Sequence, residues 1–253
     1  MRNVLMSLRY DGTNYHGWQV QKNAVTVQEV FQGALARLLG EDVDIKGCSR
    51  TDAGVHANMY CVSAKIDSKI PCKRLKMALN RFLPRDIAVT GAAEVPLDFH
   101  ARYSCSGKEY VYKIWNEPVR NPFWHGRAFH YWYHLDVEKL DSAAKNFIGT
   151  HDFTSFCTLD KRNPENMVRT VKDFSVERNG GLVEMRVTAD GFLYNMVRIM
   201  VGTLLRVAMG RIEPQEIPDI ISAKDRAKAG PTAVAHGLYL NRIFYDGINL
   251  ELD

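Results

Sequence analysis

Apolar residues fill most of Val4 to Tyr10, a strand pattern that stops at the turn cluster Asp11-Gly12-Thr13-Asn14. Tyr15-His16-Gly17-Trp18-Gln19 follows as an aromatic loop without helical period. Thr26 with Glu29 three residues later has the form of a capping box, and Val27, Val30, Phe31, Ala34, Leu35 and Leu38 then share one helical face up to Gly40. Val43, Ile45 and Gly47-Cys48 predict a short strand, and Met59-Tyr60-Cys61-Val62 with Ile66 predicts another. Pro71 opens a second helix with Cys72, Leu75, Leu79 and Phe82 on its inner face. A strand from Ile87 to Val89, an irregular stretch through Arg102 and a strong strand from Tyr110 to Trp115 complete the first half.

Pro118, Pro122 and an aromatic pair mark 116–126 as a link, giving an N-terminal half at 1–115 and a C-terminal half at 127–253. Asp136 is placed to cap a helix with Val137, Leu140, Ala144 and Phe147 inside and Gly149 at its end. Thr170 to Val176 and Leu182 to Val187 flank Asn179-Gly180-Gly181, a hairpin pattern. From Phe192 to Leu205 the chain is apolar on nearly every side, which predicts a buried helix containing one formal charge, Arg198. A polar stretch from Ala223 to Gly230 is expected as an exposed loop before the last strand, Leu238 to Tyr245.

At 253 residues and 46% hydrophobic content the chain can bury a substantial core. A formal charge of +4 permits a polyanionic partner without demanding one, so local clusters of charge carry more information than the total. Cys48, Cys61, Cys72, Cys105 and Cys157 are odd in number and widely spaced, which suggests neither a disulfide framework nor a zinc site and fits a reducing cytoplasm. The N-terminus leads directly into a strand, and no apolar run reaches bilayer length, so a soluble cytoplasmic protein is expected.

Three features bear on chemistry. Arg50-Thr51-Asp52-Ala53-Gly54-Val55-His56-Ala57 sets a carboxylate in a turn between two strands, beside a permanent cation and a glycine free to take positive φ. The same run also fits a plain surface turn. Lys73, Arg74, Lys76 and Arg81 give the second helix a basic side suited either to phosphate or simply to water. Arg198, on its apolar helix, calls for a carboxylate or phosphate, or else serves as a structural ion pair.

The run from Arg50 to Ala57 resembles the catalytic signature of the bacterial tRNA pseudouridine synthase A (TruA) family. Further blocks resemble the family's in the family's order: Tyr10-Asp11-Gly12, Tyr15 to Gln19, Phe99-His100-Ala101-Arg102, Lys108 to Tyr112, His151-Asp152-Phe153, Arg169-Thr170, Gly191 to Arg198 and Gly237-Leu238-Tyr239-Leu240. The likeness spans essentially the whole chain. Ser49 stands where the family often has glycine, and His236 where proline is common.

The resemblance implies an α/β (α+β) pseudouridine synthase fold: two related halves sharing an extended, mainly antiparallel sheet flanked by helices, with a central basic cleft. It implies isomerisation of uridine to pseudouridine at positions 38, 39 and 40 of the tRNA anticodon arm by a homodimer, without metal or organic cofactor. Residue by residue, Asp52 matches the catalytic aspartate, Tyr110 the active-site tyrosine and Arg198 the arginine that anchors the carboxylate. Arg50 matches an arginine suited to a flipped nucleotide, while Lys73, Arg74, Lys76 and Arg81 are candidates for holding the tRNA backbone. Two rival readings are a tRNA-binding or tRNA-folding protein without catalysis, and an Asp-dependent N-glycosidic hydrolase. The usual hydrolase needs a second, opposed carboxylate; no such pair is evident from the motifs, and sequence alone leaves Asp11 and Asp152 open.

Overall fold

The computed structural model describes residues 1–159 and 165–248. In chain order these form β1 (Arg2–Tyr10), α1 (Val27–Leu39), β2 (Ile45–Gly47), β3 (His56–Ile66), α2 (Cys72–Leu79), β4 (Ile87–Val95), β5 (Cys105–Trp115), β6 (Phe129–His130), α3 (Val137–Lys145), β7 (Gly149–Asp152), β8 (Val168–Asn179), β9 (Leu182–Ala189), α4 (Met196–Ala208), α5 (Ile217–Ser222) and β10 (Leu238–Tyr245). The class is mixed α/β, with mainly antiparallel strands flanked by helices. The chain divides into two compact units, Met1–Ser106 joined by the chain from Tyr239 onward, and Gly107–Leu238.

In the first unit the strand order is β4-β1-β3-β10, with β2 on β3. β1 runs antiparallel to both β3 and β4, and β10 joins β3 in parallel through Tyr239 opposite His56 and Leu240 opposite Ala57. Val4, Leu5, Met6 and Leu8 are all fully buried, so β1 is covered on both faces and reads as a continuous apolar run. The Thr26 side chain accepts the Glu29 amide and Gly40 closes α1 in the left-handed region, while Val27, Phe31, Ala34 and Leu35 form its inner face. Removing such a cap typically costs about 1 kcal/mol, and truncating a fully buried ring such as Phe31 about 3–5 kcal/mol.

In the second unit the order is β5-β9-β8-β7, with β6 parallel to β5. β8 and β9 form the expected hairpin, closed at Asn179 opposite Leu182 with Gly180 at φ 58°. Val183, Met185, Val187 and Ala189 alternate inward along β9. Phe147 meets Phe156 edge-on at 5.1 Å and lies 5.7 Å from Phe174, which fixes α3 against β8.

Several boundaries differ from those the pattern predicts. α2 ends at Leu79, so Arg81 and Phe82 lie beyond the helix, where the Arg37 guanidinium covers the Phe82 ring. β4 continues to Val95 through small residues that give no apolar alternation. α3 ends at Lys145, four residues before Gly149. α4 starts at Met196 because Asn195 takes φ 61° and breaks the run that begins at Phe192. The stretch up to Gly230 is not wholly exposed: Ala229 and Gly230 are buried. A Cβ at Gly202 would lie 1.8 Å from the Pro231 carbonyl oxygen, so α4 and the following strap pack backbone to backbone.

Candidate active site

The catalytic candidates are distributed over the two units, Asp52 in the first with the substrate-binding candidate Arg50, Tyr110 and Arg198 in the second. Asp52 is half-buried in the turn that leads into β3, and the Val55 amide closes that turn on the Asp52 carbonyl at 3.2 Å. Gly54 occupies the left-handed region at φ 76°, the position that requires a residue without Cβ. Arg50 lies exposed beside it.

The turn is gripped by the loop after β1. The Trp18 amide donates to the Thr51 carbonyl (3.1 Å), the Gly54 amide to the Tyr15 carbonyl (3.2 Å), and the Tyr10 and Thr51 hydroxyls are hydrogen-bonded at 2.9 Å. Contact is so close that a Cβ on Gly12 would fall 2.0 Å from the Val55 oxygen, and one on Gly17 2.4 Å from the Thr51 oxygen. Beneath this layer Trp18 stacks on Tyr60 at 3.9 Å, and the Tyr60 hydroxyl donates to the Ser49 carbonyl.

The loop is itself anchored on two sides. Gly17 and Trp18 carbonyls accept the Val27 and Gln28 amides, satisfying donors left open at the α1 N-terminus. On the other side the Tyr15 hydroxyl donates to Asp86 (2.7 Å) and the Asp11 amide to the Asp86 carbonyl (2.9 Å). Burial, reinforced by that hydrogen bond to Asp86, holds the Tyr15 phenol above its ordinary range, so it remains a donor. Asp52 therefore projects from a turn whose backbone is tied to β1, α1 and the start of β4.

In the second unit Tyr110 on β5 is buried opposite Val187 of β9, its ring edge-on to Phe192 at 5.0 Å. Arg198, on the first turn of α4, donates through Nε to the Ala233 carbonyl (2.7 Å) and through Nη1 to the Asn195 side-chain oxygen (2.9 Å). The Ala233 amide in turn donates to the Arg198 carbonyl (3.0 Å), and Asn195 donates to the Thr158 hydroxyl (3.0 Å). The short connector from Phe192 to Asn195 thus contacts Tyr110 at one end and Arg198 at the other. The Tyr112 hydroxyl, donating to the Val234 carbonyl at 2.9 Å, ties the strap after Gly230 to β5.

The basic candidates lie elsewhere in the first unit. Lys73 and Arg74 are exposed on α2 and Lys76 is half-buried there, while Arg81 is exposed beyond its end. α2 packs against β4, the edge strand two places from β3. Of the rival acid candidates, Asp11 accepts the Thr13 amide and hydroxyl, and Asp152 pairs with Lys224 at 2.8 Å. Among the described residues no group of three or more His, Cys, Asp or Glu is arranged to hold a metal ion. No helix among them is long and apolar enough to cross a membrane.

The sequence pattern does not show the roles of Gly12, Gly17 and His56. Their importance rests on contacts between segments some 35 to 45 residues apart, and the only local signal is that each lies inside a block shared with the resembled family.

A family model described as tRNA pseudouridine synthase matches residues 6–104 and 143–246. The chain is 48% identical over 245 residues to tRNA pseudouridine synthase A of Thermoanaerobacter sp. (strain X514), covering 97% of this chain and 100% of that protein. The protein of the same name from Acetivibrio thermocellus is equally similar, at 48% identity with the same coverage. tRNA pseudouridine synthase A 2 of Clostridium tetani is 46% identical, over 97% of this chain and 99% of its own length.

Proposed function

The chain belongs to the tRNA pseudouridine synthase A family, and from that premise we propose that it isomerises uridine to pseudouridine at positions 38, 39 and 40 of the tRNA anticodon arm. The observation that carries this reading is similarity over 97% of the chain: 48% of the aligned positions are identical to relatives, matched over their whole length, that bear this name.

The reaction breaks the bond between C1′ of the ribose and N1 of uracil, turns the base, and joins C1′ to C5. The proton displaced from C5 to solvent is balanced by one gained at N1, so the product has the same composition as the substrate. Asp52 is the proposed catalytic carboxylate. Attack on C6, attack on C1′ and proton removal in a glycal route all begin from its ionised form. What supports the assignment is a turn that cannot relax: an acid that must meet one atom of a rotating base needs its backbone held, and four hydrogen bonds hold residues 51–55.

Tyr110 is proposed to stack against the target base, and Arg198 to orient the carboxylate. The two donors that Arg198 commits to Ala233 and Asn195 fix the plane of its guanidinium, which suits an orienting role. A uridine in a stem costs a few kcal/mol to unstack, and Arg50 is proposed to stabilise the flipped nucleotide. The family's homodimer and a cytoplasmic location complete the proposal, with Lys73, Arg74, Lys76 and Arg81 contacting tRNA phosphates.

Nucleoside analysis of an unmodified tRNA transcript after incubation separates the readings. Pseudouridine formed without free uracil is the expected product. Free uracil would identify a hydrolase, and an unchanged transcript that is nonetheless bound would identify a binding protein.

A further inference from the structure

His56 follows the Asp52 turn as the first residue of β3 and is almost fully buried, at 1% exposure, yet the reaction outlined above does not use it. Its ring stacks on Tyr239 of β10, with centroids 4.6 Å apart and planes 25° from parallel, so the imidazole cannot swing freely. Two groups compete for Nδ1: the Gly12 amide at 3.0 Å and the Asp11 carboxylate at 3.2 Å. They require opposite protonation. Gly12 needs a lone pair on Nδ1, whereas Asp11 needs a proton there.

The amide has the stronger claim. Gly12 is buried, and a buried backbone N–H left without an acceptor is costly, whereas Asp11 Oδ1 already accepts the Thr13 amide at 3.1 Å and the Thr13 hydroxyl at 2.5 Å. The proton of the neutral ring then sits on Nε2. This choice bears on the catalytic turn because Gly12 rests directly on the Val55 backbone, with no room for a Cβ. Turning Nδ1 into a donor would set two N–H groups against each other at that contact.

We infer that His56 is a positioning residue for the Asp52 turn: as the Nε2–H tautomer it accepts the Gly12 amide and clamps the loop after β1 onto residues 51–55. The inference rests on Asp52 being the reacting group, and its test therefore has one part that does not depend on activity. Asparagine places an acceptor near the Nδ1 position and glutamine places one near Nε2, so the pair separates the two nitrogens. In a tRNA tritium-release assay, His56→Ala and His56→Gln are expected to lower kcat about 10- to 100-fold, with KM changed less than about threefold. His56→Asn is expected to recover kcat to within about threefold of the native value. Native kcat in His56→Ala, or equal rates for the Asn and Gln variants, would overturn the inference. If His56→Ala does not fold, the Asn and Gln comparison decides. Nitrogen NMR of the native protein labelled at histidine reads the tautomer directly: a proton on Nε2 is expected, and a proton on Nδ1 overturns the inference even if the protein releases no tritium. A native protein without tritium release contradicts the synthase reading instead.

Discussion

Gly17 combines a left-handed backbone, φ 84°, with a close approach to the turn, where an added Cβ would lie only 2.4 Å from the Thr51 carbonyl oxygen. Either demand alone disfavours a side chain, and the two together mean that the loop must lift off the Asp52 turn to accept one. Gly17→Ala is therefore expected to destabilise the fold by about 1–3 kcal/mol. That corresponds to a melting temperature lower by roughly 2–4 °C per kcal/mol for a chain of this size, measurable by calorimetry. The loss of kcat should exceed what the fraction unfolded explains, because the displaced contact is the one that holds residues 51–55. Gly12, earlier in the loop, meets only the second of these demands, at the Val55 oxygen.

At the scale of elements, the end of β7 supplies a test of electrostatics outside the turn. Asp152 loses some solvation on partial burial, which alone would raise its pKa. Hydrogen bonds from Lys224 and from the Thr154 hydroxyl and amide outweigh that and hold it below the usual carboxylate value. A depressed carboxylate stabilises the fold above its unfolded pKa and loses that contribution as pH falls through the folded one. With Lys224 more than half exposed, the gain is small. Asp152→Asn should accordingly melt about 1–3 °C below the native protein at pH 7, with the gap closing as the pH falls from the ordinary aspartate value of about 3.9 through the lower folded one. A gap that stays constant across this range would show that the pairing with Lys224 is irrelevant to stability.

The same elements show where a linear pattern carries structural information and where it stops. α1 is legible end to end because its cap, its apolar stripe and its closing glycine are all local features. The start of α4 is not: Phe192, Leu193 and Tyr194 continue the apolar pattern, and only the positive φ of Asn195 excludes them from the helix. β4 beyond Val89 passes through Thr90, Gly91, Ala92 and Ala93, which show no apolar alternation, before Glu94 and Val95, and its pairing with β1 decides the matter. Gly230 looks like loop because its contribution is the absence of a side chain, which lets the strap reach the α4 backbone at Gly202. In the candidate site Asp52 stands out through its motif, whereas the grip on its turn by Tyr10, Gly12, Gly17 and Trp18 exists only after folding brings distant segments together.

For the molecule as a whole, a net charge of +4 is too small to bind tRNA by itself, so affinity must come from where the cations lie. Lys73, Arg74 and Lys76 concentrate three of them on one short helix. If all three meet phosphates, replacing them together with alanine should weaken tRNA binding at low salt. It should also flatten the slope of log affinity against log salt by about 2–3, at roughly 0.7–0.9 per phosphate contact. An unchanged slope would remove α2 from the tRNA-binding surface. Because these residues are remote in the chain from the reacting groups, kcat at saturating tRNA should change little.

Tritium release from a transcript labelled with [5-³H]uridine tests most directly whether Asp52 performs an isomerisation at C5 of tRNA uridine. The native protein should release tritium, and Asp52→Asn should lose at least about 10²-fold in rate while binding the same transcript. Equal release by Asp52→Asn, or no release by native protein bound to an unmodified transcript, would contradict the claim.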